Sequence, residues 1–358
     1  MGATTLGPEA PSPELQGHLR RRARLSATVI ALSVAVAASV LVAVTIGPAD
    51  LSVAEVWSVV LDHLGGPDSG LTVLRDNIVW ELRLPRVLVA GIVGASLGLV
   101  GAVMQTLTRN PLADPYLLGI SSGASFGAVL VLVVGVGAGI HALSVGAFTG
   151  AIGAFALVLL FGRRGRRLLP ARMILAGVAV GQFFNALMST LIVWRADPQA
   201  TRNVTFWLLG SLSAARWSSV VIGAAALAGV LLLYVWHHRA FDAFAFGDDS
   251  AATLGIDVDR LRWVVFVATA LLTGCIVAIS GAIGFVGLVI PHAVRFVVGP
   301  DHRRLLPVVG LVGAIFLIWV DVIARTAFAP RELPVGVVTA FVGVPAFVLL
   351  MRRAEVRG

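Results

Sequence analysis

The stretch 82–127, LRLPRVLVAGIVGASLGLVGAVMQTLTRNPLADPYLLGISSGASFG, constrains the fold more than any other part of the chain. It reads as two apolar helices joined by a polar, proline-bearing turn over 108–115, with Arg83 and Arg86 at the opposite end of the first helix. Gly91, Gly94, Gly98 and Gly101 recur at three- and four-residue spacing, a small face on which helices approach closely in lipid. A helical hairpin with a charged mouth and a shaped turn suits a transport pathway. The alternative is a packed hairpin that touches no substrate.

Similar apolar runs continue along the chain. Of 358 residues, 58% are hydrophobic, and the mean hydropathy is +0.94. A water-soluble domain of this size could not hide that much apolar surface, so the class expected is an all-α polytopic membrane protein. All 27 basic residues are arginine, and the chain has no lysine. A phosphate-binding loop of the Walker type requires its lysine, and so does Schiff-base chemistry. Any ATP hydrolysis therefore belongs to another polypeptide, and no catalytic residue or cofactor is expected in this one. The single cysteine, Cys275, lies in an apolar run and offers neither a disulfide nor a metal site.

Apolar segments at 26–46, 87–107, 117–137, 143–161, 172–193, 220–236, 261–279, 283–298, 305–324 and 335–351 give ten expected spans. The first follows Arg20, Arg21, Arg22 and Arg24 and is too long for a signal-peptide core, so it reads as a retained span. Residues 1–25 read as a disordered tail, 26–353 as the membrane domain and 354–358 as a second short tail. Between the first two spans, Ser52 and Glu55 form a capping box ahead of a helical apolar pattern ending near Gly65. That pattern reads as a surface-packing helix, with a partner contact as the alternative. A broken half-helix is expected at 205–216. Most arginines fall on the side shared by both termini, which places the termini in the cytoplasm and explains the net charge of +8 without nucleic acid.

The LRLPR segment, GAVMQ with the RNPLADP turn, and LLGISSGA resemble the FecCD family. These are the permeases of bacterial ABC importers for iron-siderophores, haem and cobalamin. GFVGLVIPHAVRFVVGPDHRRLLP at 284–307 and ELPVGVVTAFVGVPAF at 332–347 agree in order. The resemblance implies a type II ABC importer permease fold in the bacterial inner membrane. It also implies a second permease subunit, identical or paralogous, an ATPase dimer and an extracytoplasmic substrate-binding protein. Ferric siderophore is the expected substrate, with haem or cobalamin as alternatives.

Arg83, Arg86 and Arg325 match positions at which the family presents arginines to glutamates of the binding protein, and guanidinium forks suit carboxylates. The alternative for them is snorkelling or an internal pair, such as Arg325 with Asp321 at i,i+4. Arg331 and Glu332 are neighbours placed to pair locally. The turn at 110–115 resembles the family's cytoplasmic gate, so Asn110 and Leu112 of two subunits would meet on a symmetry axis. The inner loop 237–260 resembles a coupling element that seats in the ATPase. Its candidate contacts are Phe241, Phe244, Asp248, Asp249, Ala251, Leu254 and Gly255, around a short helix over 250–254. Acidic spacing there does not fit a calcium loop, and adjacent His237 and His238 point apart on a helix, so no metal is expected. An ion-coupled secondary transporter is the other functional class. It lacks the buried carboxylates such a mechanism uses, since Asp321 is the sole acid within the expected spans.

Overall fold

The computed structural model describes residues 13–135, 140–165, 167–195 and 197–355. The chain is a helical bundle with one two-residue hairpin, β1 (Arg163–Arg164) and β2 (Arg167–Leu168). In order come α1 (Pro13–Thr45), α2 (Val53–His63) and α3 (Val73–Asn77), which continues through a π-helical turn (Ile78–Arg83) into α4 (Leu84–Leu107). After a short 3₁₀ turn (Pro115–Leu118) follow α5 (Ile120–Val134), α6 (Ile140–Gly162), α7 (Pro170–Arg195), α8 (Pro198–Leu208) and α9 (Trp217–Trp236). The remainder is α10 (His238–Phe244), α11 (Asp248–Thr253), α12 (Val258–Ser280), α13 (Val286–Val298), α14 (His302–Thr326) and α15 (Val335–Glu355).

Among the described residues, eight helices are long and apolar enough to cross a bilayer, and two shorter apolar ones, Ile120–Val134 and Val286–Val298, stand where the other two expected spans lie. Two boundaries differ from expectation. Helix α1 starts at Pro13 rather than near residue 26, because 14–24 is rich in Leu, Gln, Glu and Arg, all good helix formers, behind a proline that tolerates the first turn. Residues 1–12 and 356–358 of the expected tails lie outside the described residues. The half-helix expected at 205–216 is instead α8, which Asp197 starts by accepting from Ala200 N–H at 2.6 Å, with Pro198 next.

Helix α2 begins as its sequence requires. Ser52 Oγ accepts from Glu55 N–H at 3.2 Å, and Glu55 accepts from Ser52 N–H at 2.7 Å.

Helix α4 is the hub. In its most apolar window 78% of residues lie inside the bundle, against 61% for α12, 56% for α14 and only 11% for α9. The small face of α4 explains why. A Cβ on Gly94 would strike the Gly313 carbonyl of α14, and one on Gly101 would strike the Gly287 carbonyl of α13. Backbone therefore meets backbone at these two positions of α4, a contact that only glycine permits. Helices α5 and α6 meet the same way, through Gly123 against Gly150.

Candidate functional site

The expected functional residues separate to the two ends of the bundle. At one end, Arg83 leaves the π-helical turn, Arg86 the first turn of α4, and Arg325 the last turn of α14. All three are buried. Arg86 donates from Nε to both oxygens of Asp321, at 2.9 and 3.2 Å, and from Nη1 to Glu332 Oε1 at 2.9 Å. Arg325 lies 3.6 Å from the other side of Asp321 and donates to the Ala43 carbonyl at 2.8 Å. Arg83 rests against Gly47 and donates to the Ala49 carbonyl at 2.6 Å.

Two roles follow from this geometry. Asp321, fully buried, bridges two cations, and each charge offsets the desolvation cost of the other. Arg83 and Arg325 also satisfy carbonyls at and just beyond the C-terminus of α1, where a helix leaves acceptors unpaired and carries negative partial charge. The internal pair weighed for Arg325 is present, and Arg86 joins it. Glu332 pairs with Arg86 and not with its neighbour Arg331, correcting the expected local pair. These guanidinium groups are thus engaged within the chain.

At the other end lies the 108–119 turn. Asn110 Oδ1 accepts from Leu112 N–H at 2.9 Å, which locks the turn and leaves Leu112 half-exposed at its tip. Asp114 accepts from Tyr116 N–H at 2.9 Å and so starts the 3₁₀ turn. Burial against α13 pushes the Asp114 carboxyl up to about 6, opposed by that hydrogen bond. Tyr116 OH donates to the Ile283 carbonyl at 2.9 Å and accepts from Ile283 N–H at 3.0 Å, pinning the turn to the start of α13.

The 237–257 segment packs beside this turn and divides the residues expected to form one surface. Phe241, Phe244 and Ala251 are buried within the chain. Asp248 accepts from Arg262 of α12 at 2.8 Å, and the same guanidinium lies over the Phe244 ring at 5.5 Å. Phe241 and Phe244, candidate ATPase contacts in the sequence, are instead covered by the bundle itself. Leu254, at 71% exposure, and Phe246, at 81%, point outward beside exposed Asp249 and Gly255. Gly255 holds a left-handed φ of 79° that ends α11.

One connection here was invisible in the sequence. Asp242 of α10 accepts from both the backbone N–H and Nδ1 of His302, at 2.9 and 2.7 Å. The other ring nitrogen, Nε2, meets Thr106 Oγ1 of α4 at 2.8 Å. Burial alone would raise the Asp242 carboxyl, but the bonds from His302 outweigh it and hold it below its usual range. This links α10, α14 and the last turn of α4, just before the Asn110 turn. Helical spacing around Thr106 could not show it, because the partners are 196 residues apart.

Known proteins resemble this chain over most of its length. The FecCD transport family matches residues 34–353. The uncharacterized ABC transporter permease protein YvrB of Bacillus subtilis is 38% identical, over 93% of this chain and 95% of that protein. The vitamin B12 import system permease protein BtuC of Vibrio cholerae is 39% identical, over 85% of this chain and 91% of that one. The iron(3+)-hydroxamate import system permease protein FhuB of Bacillus subtilis is 37% identical, over 88% and 80%. Among solved structures, an inward-facing ABC transporter assigned to the metal-chelate type superposes with a TM-score of 0.79 at 30% identity, covering 91% of this chain and 98% of that one.

Proposed function

The chain belongs to the FecCD transport family of ABC importer permeases, and on that premise we propose that it carries ferric siderophores across the bacterial inner membrane. Transport would be driven by a separate ATPase dimer and fed by an extracytoplasmic binding protein. The path would lie between this chain and a second permease subunit, identical or paralogous. The observation that carries the reading is the division of the bundle into an arginine-bearing end and a turn-bearing end, joined by the hub helix α4. The likeness to FhuB and to a metal-chelate transporter favours an iron chelate, and the likeness to BtuC keeps cobalamin as the second reading.

In this proposal the arginine end faces the binding protein. Each guanidinium is already engaged, so a carboxylate from the binding protein would reach Arg86 beside Glu332, the more exposed of its two partners. Asn110 and Leu112 would form the cytoplasmic gate, the leucine tip excluding water. Phe246, Asp249, Leu254 and Gly255 would meet the ATPase, while Phe241, Phe244, Asp248 and Ala251 seat that surface on the bundle.

The reading is tested with the chain reconstituted in proteoliposomes with its cognate ATPase and binding protein. ATP-dependent uptake of a ferric siderophore is expected, and uptake of cobalamin or haem alone would overturn the substrate. For coupling, Leu254→Arg with Phe246→Arg should weaken ATPase association by roughly 2 kcal/mol or more and abolish uptake, as charge placed at an apolar anchor does. Wild-type co-purification and uptake in that variant would remove the loop from the coupling role.

A further inference from the structure

A cavity of 520 Å³ lies between α6, α9 and α12. Its walls are apolar, and it opens sideways: Val145 and Ile222, which line it, are 61% and 56% exposed on the flank of the bundle. Among the described residues, helix α9 is the least enclosed of the long apolar helices, so this flank is open to acyl chains wherever a second permease subunit does not cover it. Toward the arginine end the walls turn polar. Arg216, Ser218 and Ser219 close the cavity there, at the N-terminus of the 20-residue α9. A second cavity of 260 Å³ adjoins it, sharing Ser144, Ser219 and Ile279 and adding Asn203, Ser211 and Ser213.

Arg216 has no carboxylate among its contacts in the described residues, and its guanidinium donates only to the carbonyl of the adjacent Ala215, at 2.9 Å. No side chain caps α9 either. An unneutralised cation, hydroxyls and an uncapped helix N-terminus thus meet at the mouth of an apolar slot. That combination is complementary to a molecule with an anionic head and a long hydrocarbon tail. A water-soluble chelate would gain nothing from the slot, and a free anion would leave it empty.

We propose that the paired cavities bind one anionic phospholipid from the leaflet at the arginine end. Its phosphate rests on Arg216 with Ser218 and Ser219, its headgroup reaches Asn203, Ser211 and Ser213 in the smaller chamber, and one acyl chain lies between α6, α9 and α12. The site is separate from the turn and from the buried arginine cluster, and lipid occupancy is expected whichever substrate the permease carries.

The test uses the purified full chain in detergent, titrated with phosphatidylglycerol or phosphatidylcholine of matched chains and read by native mass spectrometry. One phosphatidylglycerol per chain is expected to bind about tenfold more tightly than phosphatidylcholine, as a charge-assisted contact provides. Arg216→Gln should bring phosphatidylglycerol down to the phosphatidylcholine level while the lipid-free melting temperature stays unchanged. Ala226→Trp, which fills the slot, should abolish binding of both lipids. Equal affinity for the two lipids in the wild type, or an unaltered preference in Arg216→Gln, overturns the proposal. So does displacement of the bound lipid by millimolar inorganic phosphate, which would mean that the headgroup binds without the slot.

Discussion

Asp321 shows how much one carboxylate can hold in place. It is fully buried, it faces Arg86 and Arg325, and its removal leaves Arg325 without a carboxylate and Arg86 with Glu332 alone. Asp321→Asn should therefore destabilise the fold by about 3–5 kcal/mol, seen as loss of the monodisperse species in mild detergent. Glu332→Gln, at the more exposed side of the same arginine, should cost about 1 kcal/mol or less. Comparable losses in the two variants would mean that the cluster is not organised around Asp321. Asp114 gives a second residue-scale expectation. Its carboxyl is pushed up to about 6 by burial, so the folded chain keeps a proton that the unfolded chain has released. That contribution is complete below the ordinary carboxylate range and is lost as pH rises through about 6. Melting temperature should fall between about pH 4 and pH 6 and level off above about pH 7, and Asp114→Asn, which cannot ionise but can still cap the turn, should flatten that slope. Neither residue's environment could be read from its neighbours in sequence. Asp321 was visible only as a partner for Arg325, four residues on, whereas Arg86 reaches it across 235 residues.

Among the elements, those shaped by local rules were legible and those shaped by packing were not. The Ser52–Glu55 box is written within a few residues and stands where expected, and the short helix expected at 250–254 runs from Asp248 to Thr253. The glycine stripe of α4 announced a close approach but not its partners, which are α14 at Gly94 and α13 at Gly101. Phe241 and Phe244, candidate contacts for a partner, lie buried in the chain itself, because composition says nothing of which neighbour covers a ring. Gly101→Ala should separate α4 from α13 and lower stability by roughly 2 kcal/mol or more, since the added methyl meets backbone that cannot swing aside. Gly153→Ala is the matched control. Nothing lies within 4 Å of its added carbon, and better helix propensity should leave the chain unchanged or up to about 1 kcal/mol more stable. Equal melting temperatures for the two variants would refute the close-contact account of the hub.

For the whole molecule, the span count and the family were legible because apolar length and motif order survive without any knowledge of contacts. Sidedness rests on arginine distribution, and it is open to direct measurement. In a Cys275→Ala background, Phe246→Cys should react with an impermeant thiol reagent only from the cytoplasmic face, and Asp68→Cys only from the opposite face. Reversed labelling would invert the topology. The unbroken run Val73–Leu107 has 35 residues, about 50 Å at helical rise, and it bears Arg83 and Arg86 about a third of the way from one end and delivers the Asn110 turn at the other. Such a strut has no hinge along most of its length, and its one compliant joint, the π-helical turn Ile78–Arg83, sits beside the arginines. A load applied at that joint bends it locally, whereas a load applied past it tilts the strut and swings the far tip the opposite way. Where a partner grips this end, to one side of the joint or the other, decides whether the turn on the opposite membrane face is moved at all.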